Sequence, residues 1–338
     1  MAVSIANSLD HPSLLGLLAD GKLHSGEDLA RTLGVSRAAV WKGIERLRMR
    51  GIDIAAVRRR GYSLERAVEL LDGSEIRRAV QTAQAPRLRR LEVAFDVDST
   101  NARLLAAGPP PHGSADVLLS ELQHAGRGRR GRHWIAPFGG SIALSLGWVF
   151  ADDVRVSPAL SLSAGVAVAR ALARAGARGI GLKWPNDIWF ADRKVGGVLL
   201  ELRAQAGGNS HVVIGVGVNI VLAPQVRAQI EGSGVCVAAL ADACAAPPSR
   251  NFVAGAIIDE LLSMLAEFEH HGFAACREQW QSLDALRGRR ARVLIADRAV
   301  LGTAWGVDED GALRLDSAGC MQTFVSGEAS LRLDEDGI

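Results

Sequence analysis

Cysteine is scarce: the 338 residues hold four, Cys236, Cys244, Cys276 and Cys320, and no two stand in a CxxC pair. That spacing argues against a disulfide-stapled scaffold and a thiolate zinc site, and we read the four as reduced thiols of a cytoplasmic protein. Residues 1–10 have no basic start and no sustained apolar core, so no secretion signal is expected. No run of about 18 apolar residues occurs, which leaves no candidate membrane span. Excess charge is missing too. Lys and Arg number 39 against 37 Asp and Glu, and a net +2 excludes a polycation acting through bulk charge. The one tyrosine, Tyr62, is read as packing rather than as a stacking platform. No Cys/His pair and no Ser/His/Asp order stands out as a nucleophilic site. What is abundant is apolar residues, 48%, enough for the cores of two or three domains.

The charge that is present is unevenly placed. Between Ser36 and Arg60, eight Lys and Arg face only Glu45 and Asp53, a local +6 that leaves the rest of the chain net acidic by four. The same region has the pattern of a compact helical unit. Leu14-Leu15-x-Leu17-Leu18 has helical spacing and ends at Asp20-Gly21. Ser25, with Asp28 three residues on, caps a helix stopped by Gly34, and Ser36 caps another that runs to about Arg50 and stops at Gly51. Two short helices joined by a glycine turn are a helix-turn-helix, and residues 52–54 and 61–64 flank Val57-Arg58-Arg59-Arg60 as a hairpin wing. Ser36, Arg37 and Ala38 would meet base edges, with Trp41 and Lys42 behind them, while Arg58, Arg59 and Arg60 would meet phosphate or a minor groove. A basic helix in a protein-interaction domain is the competing reading.

Residues 67–90 read as a linker with one short helix, about 73–82, and a basic tail from Arg87 to Arg90. Residues 91–98 read as a strand, and Ser99 and Thr100 cap a helix over 101–107. A strand ending in Asp-Ser-Thr-Asn at a helix N-terminus collects hydroxyls and free amides, although plain capping accounts for the same residues. Strands are expected at 117–123, 141–149 and 211–220, with a hairpin of two strands at 181–190 and 195–202. Residues 157–175 read as a buried helix and 251–270 as an amphipathic one. The sum is a mixed α+β domain with a largely antiparallel sheet. Five short strands follow, at 292–295, 299–307, 312–315, 322–326 and 329–333, and suggest a small appended barrel.

One stretch dominates: Gly126-Arg127-Gly128-Arg129-Arg130-Gly131-Arg132-His133-Trp134. Glycine lets a ligand approach the main chain, and arginine offers forked donors to phosphate or carboxylate. The literal G-x-G-x-x-G is not a dinucleotide fingerprint, because Pro137 and Gly139-Gly140 forbid the helix that motif must open. A nucleic-acid patch and a solvated loop compete with a loop that binds an activated, phosphate-bearing intermediate.

In this order and spacing, that loop, Lys183-Trp184-Pro185-Asn186-Asp187, Asp192-Arg193-Lys194 with Gly196-Gly197, and Gly215-Val216-Gly217-Val218-Asn219 resemble the biotin protein ligases. With the helix-turn-helix the chain resembles the bifunctional biotin operon repressors, over residues 11–333. The resemblance implies a winged helix-turn-helix at 1–66, a linker at 67–90, a biotin- and ATP-binding domain at 91–285 related to class II aminoacyl-tRNA synthetases, and an SH3-like β-barrel at 286–338. It implies that biotin and Mg-ATP give biotinyl-5′-AMP and pyrophosphate, after which a lysine of biotin carboxyl carrier protein attacks the acyl-adenylate. It further implies operator DNA as a partner and a homodimer formed on adenylate binding. On it, Ser99, Thr100, Asn101, Gln123, Arg127, Gly128, Arg129, Lys194 and Gly197 match biotin positions, and Gly126, Arg129, Arg130, Trp134, Lys183, Asn186 and Asn219 match nucleotide positions. Arg129, Lys183, Asp187 and Lys194 match the catalytic set, and no protein metal ligand is assigned. Attack of a carboxylate on an α-phosphate joins two anions, and Lys183, Lys194, Arg127 and Arg129 are the available cations. Lys183 as a structural partner of Asp187, and Trp134 and Trp184 as core residues, stay open. So do a ligand-sensing transcription factor without ligase activity and a lipoate or octanoate ligase.

Overall fold

A computed structural model describes residues 11–150, 158–204, 209–295, 298–325 and 329–333. The expected lack of a signal at 1–10, the helix start at Ser157 and the strand end at Ser326 lie outside them. Contacts divide the chain into two units, Met1–Leu70 and Leu71–Ile338.

The first unit has helices α1 (His11–Leu18), α2 (Gly26–Leu33) and α3 (Arg37–Met49), then the hairpin β1 (Ile54–Val57) and β2 (Gly61–Leu64). The expected caps form. The Ser25 hydroxyl accepts from Asp28 N and the Ser36 hydroxyl from Ala39 N, and Gly34 closes α2 at φ 65°, where a Cβ would be strained. Leu14, Leu15, Leu18, Leu29, Val40, Ile44 and Leu47 bury one face of each helix. Tyr62 is half-buried and lies against Gly26, as packing requires.

The second unit opens with α4 (Gly73–Ala79), capped by Asp72 and ending three residues before the expected Thr82 because Val80 is extended. The basic tail is not linker: β3 (Leu88–Val97) starts inside it and pairs in parallel with β4. The elements continue as α5 (Thr100–Ala107), β4 (Ala115–Gln123), β5 (Ser141–Phe150), α6 (Pro158–Arg174), β6 (Ile180–Lys183), β7 (Asp187–Phe190), β8 (Arg193–Ala204) and β9 (Ser210–Asn219). The seven strands lie in the order β3-β4-β5-β9-β8-β7-β6, antiparallel except for β3 and β4. The expected two-stranded hairpin has three strands, because Trp184-Pro185-Asn186 is a turn, not strand, with a cis bond at Pro185.

Helices α7 (Pro224–Glu231), α8 (Arg250–His271) and α9 (Arg277–Leu283) follow; α7 and α9 had no sequence expectation. Helix α8 is not a surface amphipathic helix. Most of its length is buried, between α4, α6 and the main sheet, and Gly255 is where Ala79 and the Ile76 carbonyl approach to 2.5 Å of a would-be Cβ. The last sheet, β10 (Arg290–Ile295), β11 (Arg298–Val307), β12 (Leu313–Ser317), β13 (Cys320–Phe324) and β14 (Ala329–Leu333), is antiparallel in the order β13-β12-β11-β10-β14. It is docked rather than appended. Its Ala291, Val293, Ala304 and Leu315 join the same core cluster as α6, and the Trp184 indole donates to Gly311 O at 3.1 Å. Trp184 is thus a core residue at 1% exposure, and its polar atom is satisfied across the two sheets.

One buried ion pair joins the start of this unit to its centre. Arg250 Nη2 lies 2.9 Å from Glu121 Oε2 and donates to Ser141 O, while Glu121 Oε1 accepts the Leu71 amide at 2.6 Å. Arg250→Ala leaves the Glu121 charge buried without its cation, so urea unfolding is expected to show a loss of about 3–5 kcal/mol. A midpoint equal to wild type would refute this account of the pair.

Candidate functional site

Strand β3 delivers the chain into the N-terminus of α5, and the capping residues there are buried. Ser99 Oγ accepts from Ala102 N, so the plain capping role is real for that side chain. Its neighbours do more. The Gln123 side-chain carbonyl accepts from Thr100 N at 2.8 Å and from its hydroxyl at 3.1 Å. Ser145 Oγ lies 2.7 Å from Thr100 Oγ1 and donates to Asn101 Oδ1. Asn101 Nδ2 donates to Glu201 Oε2 at 2.8 Å and to Leu199 O at 3.4 Å. Asn101 lies flat on the sheet only because position 215 is glycine; a Cβ there would stand 2.4 Å from Asn101 Oδ1.

The glycine-arginine stretch is a narrow hairpin, not a helix start. Trp134 N donates to Gly126 O at 2.9 Å and Gly128 N to Arg132 O at 2.7 Å. At the tip, Arg129–Gly131 form a 3-10 turn with φ 57° at Arg130 and 71° at Gly131. The hairpin folds over β9, where Gly217 makes room for the Trp134 ring; a Cβ would meet it at 2.5 Å. Trp134 Nε1 is buried without a partner and so is Asn219 Oδ1, while Asn219 Nδ2 donates to Ala238 O. Arg127 lies 3.5 Å from Glu201, and Arg129 donates to Asn186 Oδ1 at 3.4 Å.

The β6–β7 turn and the start of β8 supply the charged floor. Lys194 Nζ donates to Asp187 Oδ1 at 2.6 Å and stands 5.8 Å from the Trp134 ring centroid. Lys183 is buried, its Nζ 4.4 Å over the Trp189 ring. The hydrogen-bonded partner of Asp187 is therefore Lys194, not Lys183. Burial alone would push the Asp187 carboxyl up, but Lys194 and Lys183 beside it hold it below the usual range. Burial pushes the Lys183 ammonium down to about 8; Asp187 opposes that shift, and Arg332, Lys194 and Arg132 reinforce it. Burial likewise lowers Arg129 and Arg332, each with neighbouring guanidinium groups adding to the shift.

These pieces enclose a cavity of about 190 Å³. Ser99, Thr100, Asn101, Gln123, Arg127, Gly128, Arg129, Arg130, Trp134, Lys183, Asn186, Asp187, Lys194, Gly197 and Asn219 all line it. Gly126 does not; it is buried behind the Trp134 main chain. Sequence reasoning missed Arg132, Ile230, Ser233, Val235, Val237 and Arg332 among the lining residues. Arg132 belongs to the same basic run and was within reach. Arg332 arrives on β14 from the far end of the chain, and no local pattern announces it. Among the described lining residues, seven Lys and Arg face one carboxylate, Asp187.

In the first unit Ser36, Arg37, Ala38, Trp41, Lys42, Arg58, Arg59 and Arg60 are all exposed, with Trp41 at 54%. Arg48 is committed elsewhere: it donates to Ile54 O and Glu45, fixing α3 to the wing. No helix of the described residues is long and apolar enough to cross a membrane.

The Biotin/lipoate A/B protein ligase family matches residues 97–219, an HTH domain matches residues 13–63, and the Biotin protein ligase C terminal domain matches residues 288–332. The bifunctional ligase/repressor BirA of Escherichia coli (strain K12) is 36% identical over 95% of this chain and 97% of its own. The Bacillus subtilis (strain 168) protein of the same name is 30% identical over 93% and 95%. The biotin protein ligase from Aquifex aeolicus, solved in complex with biotin and ATP, superposes with a TM-score of 0.60 at 24% identity. It covers 73% of this chain and 100% of its own, and so shares the fold of the second unit's elements.

The Lys183 shift has a measurable sign. Its folded-state value of about 8 lies below the 10.5 of an ordinary lysine, so the unfolded chain binds more protons between those limits. Stability should rise through pH 8–10.5 by up to about 3 kcal/mol from this group. Lys183→Met is expected to flatten that rise in urea titrations; the same slope as wild type would overturn the burial argument.

Proposed function

This chain belongs to the biotin/lipoate A/B protein ligase family, as a bifunctional ligase/repressor, and from that membership we propose that it joins biotin to a lysine of biotin carboxyl carrier protein through biotinyl-5′-AMP. We further propose that the adenylate-bound form dimerises and represses biotin genes. The observation that carries the ligase reading is the cleft with seven cations and one carboxylate. Such a cleft fits a carboxylate and a triphosphate brought together. The biotin carboxylate attacks the α-phosphorus, the bond to the β-phosphate bridging oxygen breaks, and pyrophosphate leaves. The acceptor lysine, as free amine, then attacks the mixed anhydride and AMP leaves with the bonding pair.

In this reading Ser99, Thr100, Asn101 and Gln123 bind the ring end of biotin, with Gly197 giving the chain close passage. Arg127, Gly128 and Arg129 cover its carboxylate. Lys183, Lys194, Arg129 and Arg332 neutralise the charge that builds up on the α-phosphate, and no covalent nucleophile is needed. Arg130, Trp134, Asn186 and Asn219 surround the nucleotide, and Gly126, behind them, gives the Trp134 main chain room to pass; the unpartnered Trp134 Nε1 and Asn219 Oδ1 are the buried donor and acceptor such a group would satisfy. Asp187 holds Lys194 in place and is the lining carboxylate available to a Mg²⁺ carried in by the phosphates; one carboxylate plus phosphate oxygens suits that ion, which would offset phosphate charge. On this proposal 1–66 reads DNA, 91–285 performs the chemistry and 286–338 adds Arg332 to the cleft, while of 67–90 only the residues before α4 connect, since α4 and the start of β3 belong to the second unit.

The decisive experiment mixes the protein with biotin, ATP and a carrier domain and reads acceptor mass. A gain of one biotinyl group is expected, and Lys194→Ala should slow adenylation by about 100-fold while ligand-free DNA binding stays unchanged. Failure of the wild type to modify the acceptor while still binding biotin would favour a ligand-sensing transcription factor. Modification with lipoate or octanoate in place of biotin would favour the other ligase.

The dimer has a candidate surface. Among the described residues, β8 beyond Gly197 pairs with β9 alone, and Leu202 on that edge is 50% exposed. An open edge strand is a template for a second strand. Sedimentation with biotin and ATP should shift the protein toward dimer, and Leu202→Lys should abolish the shift; an equilibrium indifferent to both ligands would sink the switch.

A further inference from the structure

Glu201 sits outside the ring of cavity-lining residues, yet both of its oxygens are spent on residues that line it. Its Oε2 takes the Asn101 amide at 2.8 Å, and its Oε1 lies 3.5 Å from Arg127 Nη1. From residues whose roles rest on the ligase reading above, we propose that Glu201 is the positioning residue that sets the polarity of the pocket floor and latches the arginine hairpin to it.

The polarity argument is one of hydrogen-bond inventory. An ionised carboxylate only accepts, so the Asn101 side chain must turn its nitrogen toward Glu201 and its oxygen toward Ser145. The Ser145 proton then goes to Asn101 Oδ1. The Thr100 hydroxyl, 2.7 Å from Ser145 and 3.1 Å from the Gln123 carbonyl, then has one proton to give to either of them. Gln123 is oriented separately: its carbonyl accepts from Thr100 N, and its Nε2 lies beside Gly126. The Glu201 charge thereby orients two neighbouring polar groups, Asn101 directly and Ser145 through it. Without it, only the longer bond to Leu199 O, at 3.4 Å, holds the Asn101 nitrogen on that side.

The latch argument is geometric. Arg127 is the first arginine of the hairpin and is exposed, so nothing in its own packing fixes it. The pair with Glu201 spans from the hairpin to β8, which carries Glu201 opposite Val213 of β9. Glu201 is partly exposed and its pair with Arg127 is solvated, so the latch should hold the hairpin by a modest factor, while the Asn101 bond, in a buried setting, should matter more.

The two roles separate in two variants. Glu201→Gln keeps a carbonyl that accepts from Asn101 and loses the charge facing Arg127. Glu201→Ala loses both. In the ligand-free full chain, limited trypsin digestion should cut within 127–132 about 3- to 10-fold faster in Glu201→Gln, and Arg127→Ala with Glu201→Gln together should go no faster than Arg127→Ala at the remaining arginines. Unchanged cutting in Glu201→Gln, or additive effects in the double variant, would overturn the latch. This readout needs no substrate, so it decides the latch even if the ligase reading fails. In biotin-dependent pyrophosphate exchange, Glu201→Ala should raise the KM for biotin about 10-fold with kcat within about 3-fold, and Glu201→Gln should restore KM close to wild type. Equal losses in kcat for both variants, with KM unmoved, would overturn the polarity role; a wild type inactive with biotin would instead overturn the reading on which it rests.

Discussion

The second unit is built to hold more positive charge in one place than a protein interior tolerates. Seven cations line the cavity of which Asp187 is the one described carboxylate, and the field shows in Lys183, whose ammonium is pushed down to about 8 by burial and by Arg332, Lys194 and Arg132. Like charges gathered in one cleft repel one another, and a bound anion offsets that repulsion. A ligand with a carboxylate and phosphates supplies the missing charge, so binding and catalysis draw on the same imbalance. Lys183 and Lys194 occupy different positions in it. Lys194 is hydrogen-bonded to Asp187, while Lys183 lies over the Trp189 ring.

The sheet holds this charge by giving up side chains. Gly215 and Gly217 alternate along β9 on the face where Asn101 and Trp134 lie, and a Cβ at either would stand within 2.5 Å of those side chains. Two deletions of a methyl group thus seat the pocket floor and the lid residue on adjacent points of one strand. Gly196 performs the same service between strands, where a Cβ would meet Gly217 O at 2.5 Å. The Gly-x-Gly pattern of residues 215–217 is therefore a packing requirement of the site, which is why it appeared in the sequence beside otherwise continuous β-branched residues.

Much of this was legible because it is local. Caps such as Ser25, Ser36 and Ser99 act within three residues, and short apolar runs bounded by turn residues marked most strands of both sheets. The arginine run and Lys-Trp-Pro-Asn-Asp were also contiguous. What was not legible depends on contacts far apart in sequence. The burial of α8 on most sides follows from α4 and α6 closing over it, and its own residues, with acids and histidines near the end, looked amphipathic. The docking of the last sheet rests on Trp184 reaching Gly311, 127 residues away. Arg332 and Glu201 entered the site by the same long-range route, one from the last strand and one from behind Asn101. Helix α9 is short, and seven residues carry too little periodicity to be seen.

The near-neutral composition acquires a meaning once both units are in view. A net +2 conceals a +6 stretch at Ser36–Arg60 and a seven-cation cleft, so the compensating acids must lie on other surfaces. For the face proposed to read DNA, exposure of Arg37, Lys42 and Arg58–Arg60 means their field is screened by salt, and any duplex affinity should fall steeply with ionic strength. For the cleft, burial of Lys183 and half-burial of Arg129 and Arg332 weaken screening, so the attraction for an anionic ligand should persist where the DNA contact has faded. One chain thus carries two positive surfaces that respond differently to the same salt, because one is wet and the other is enclosed by Trp134, Trp184 and the two sheets.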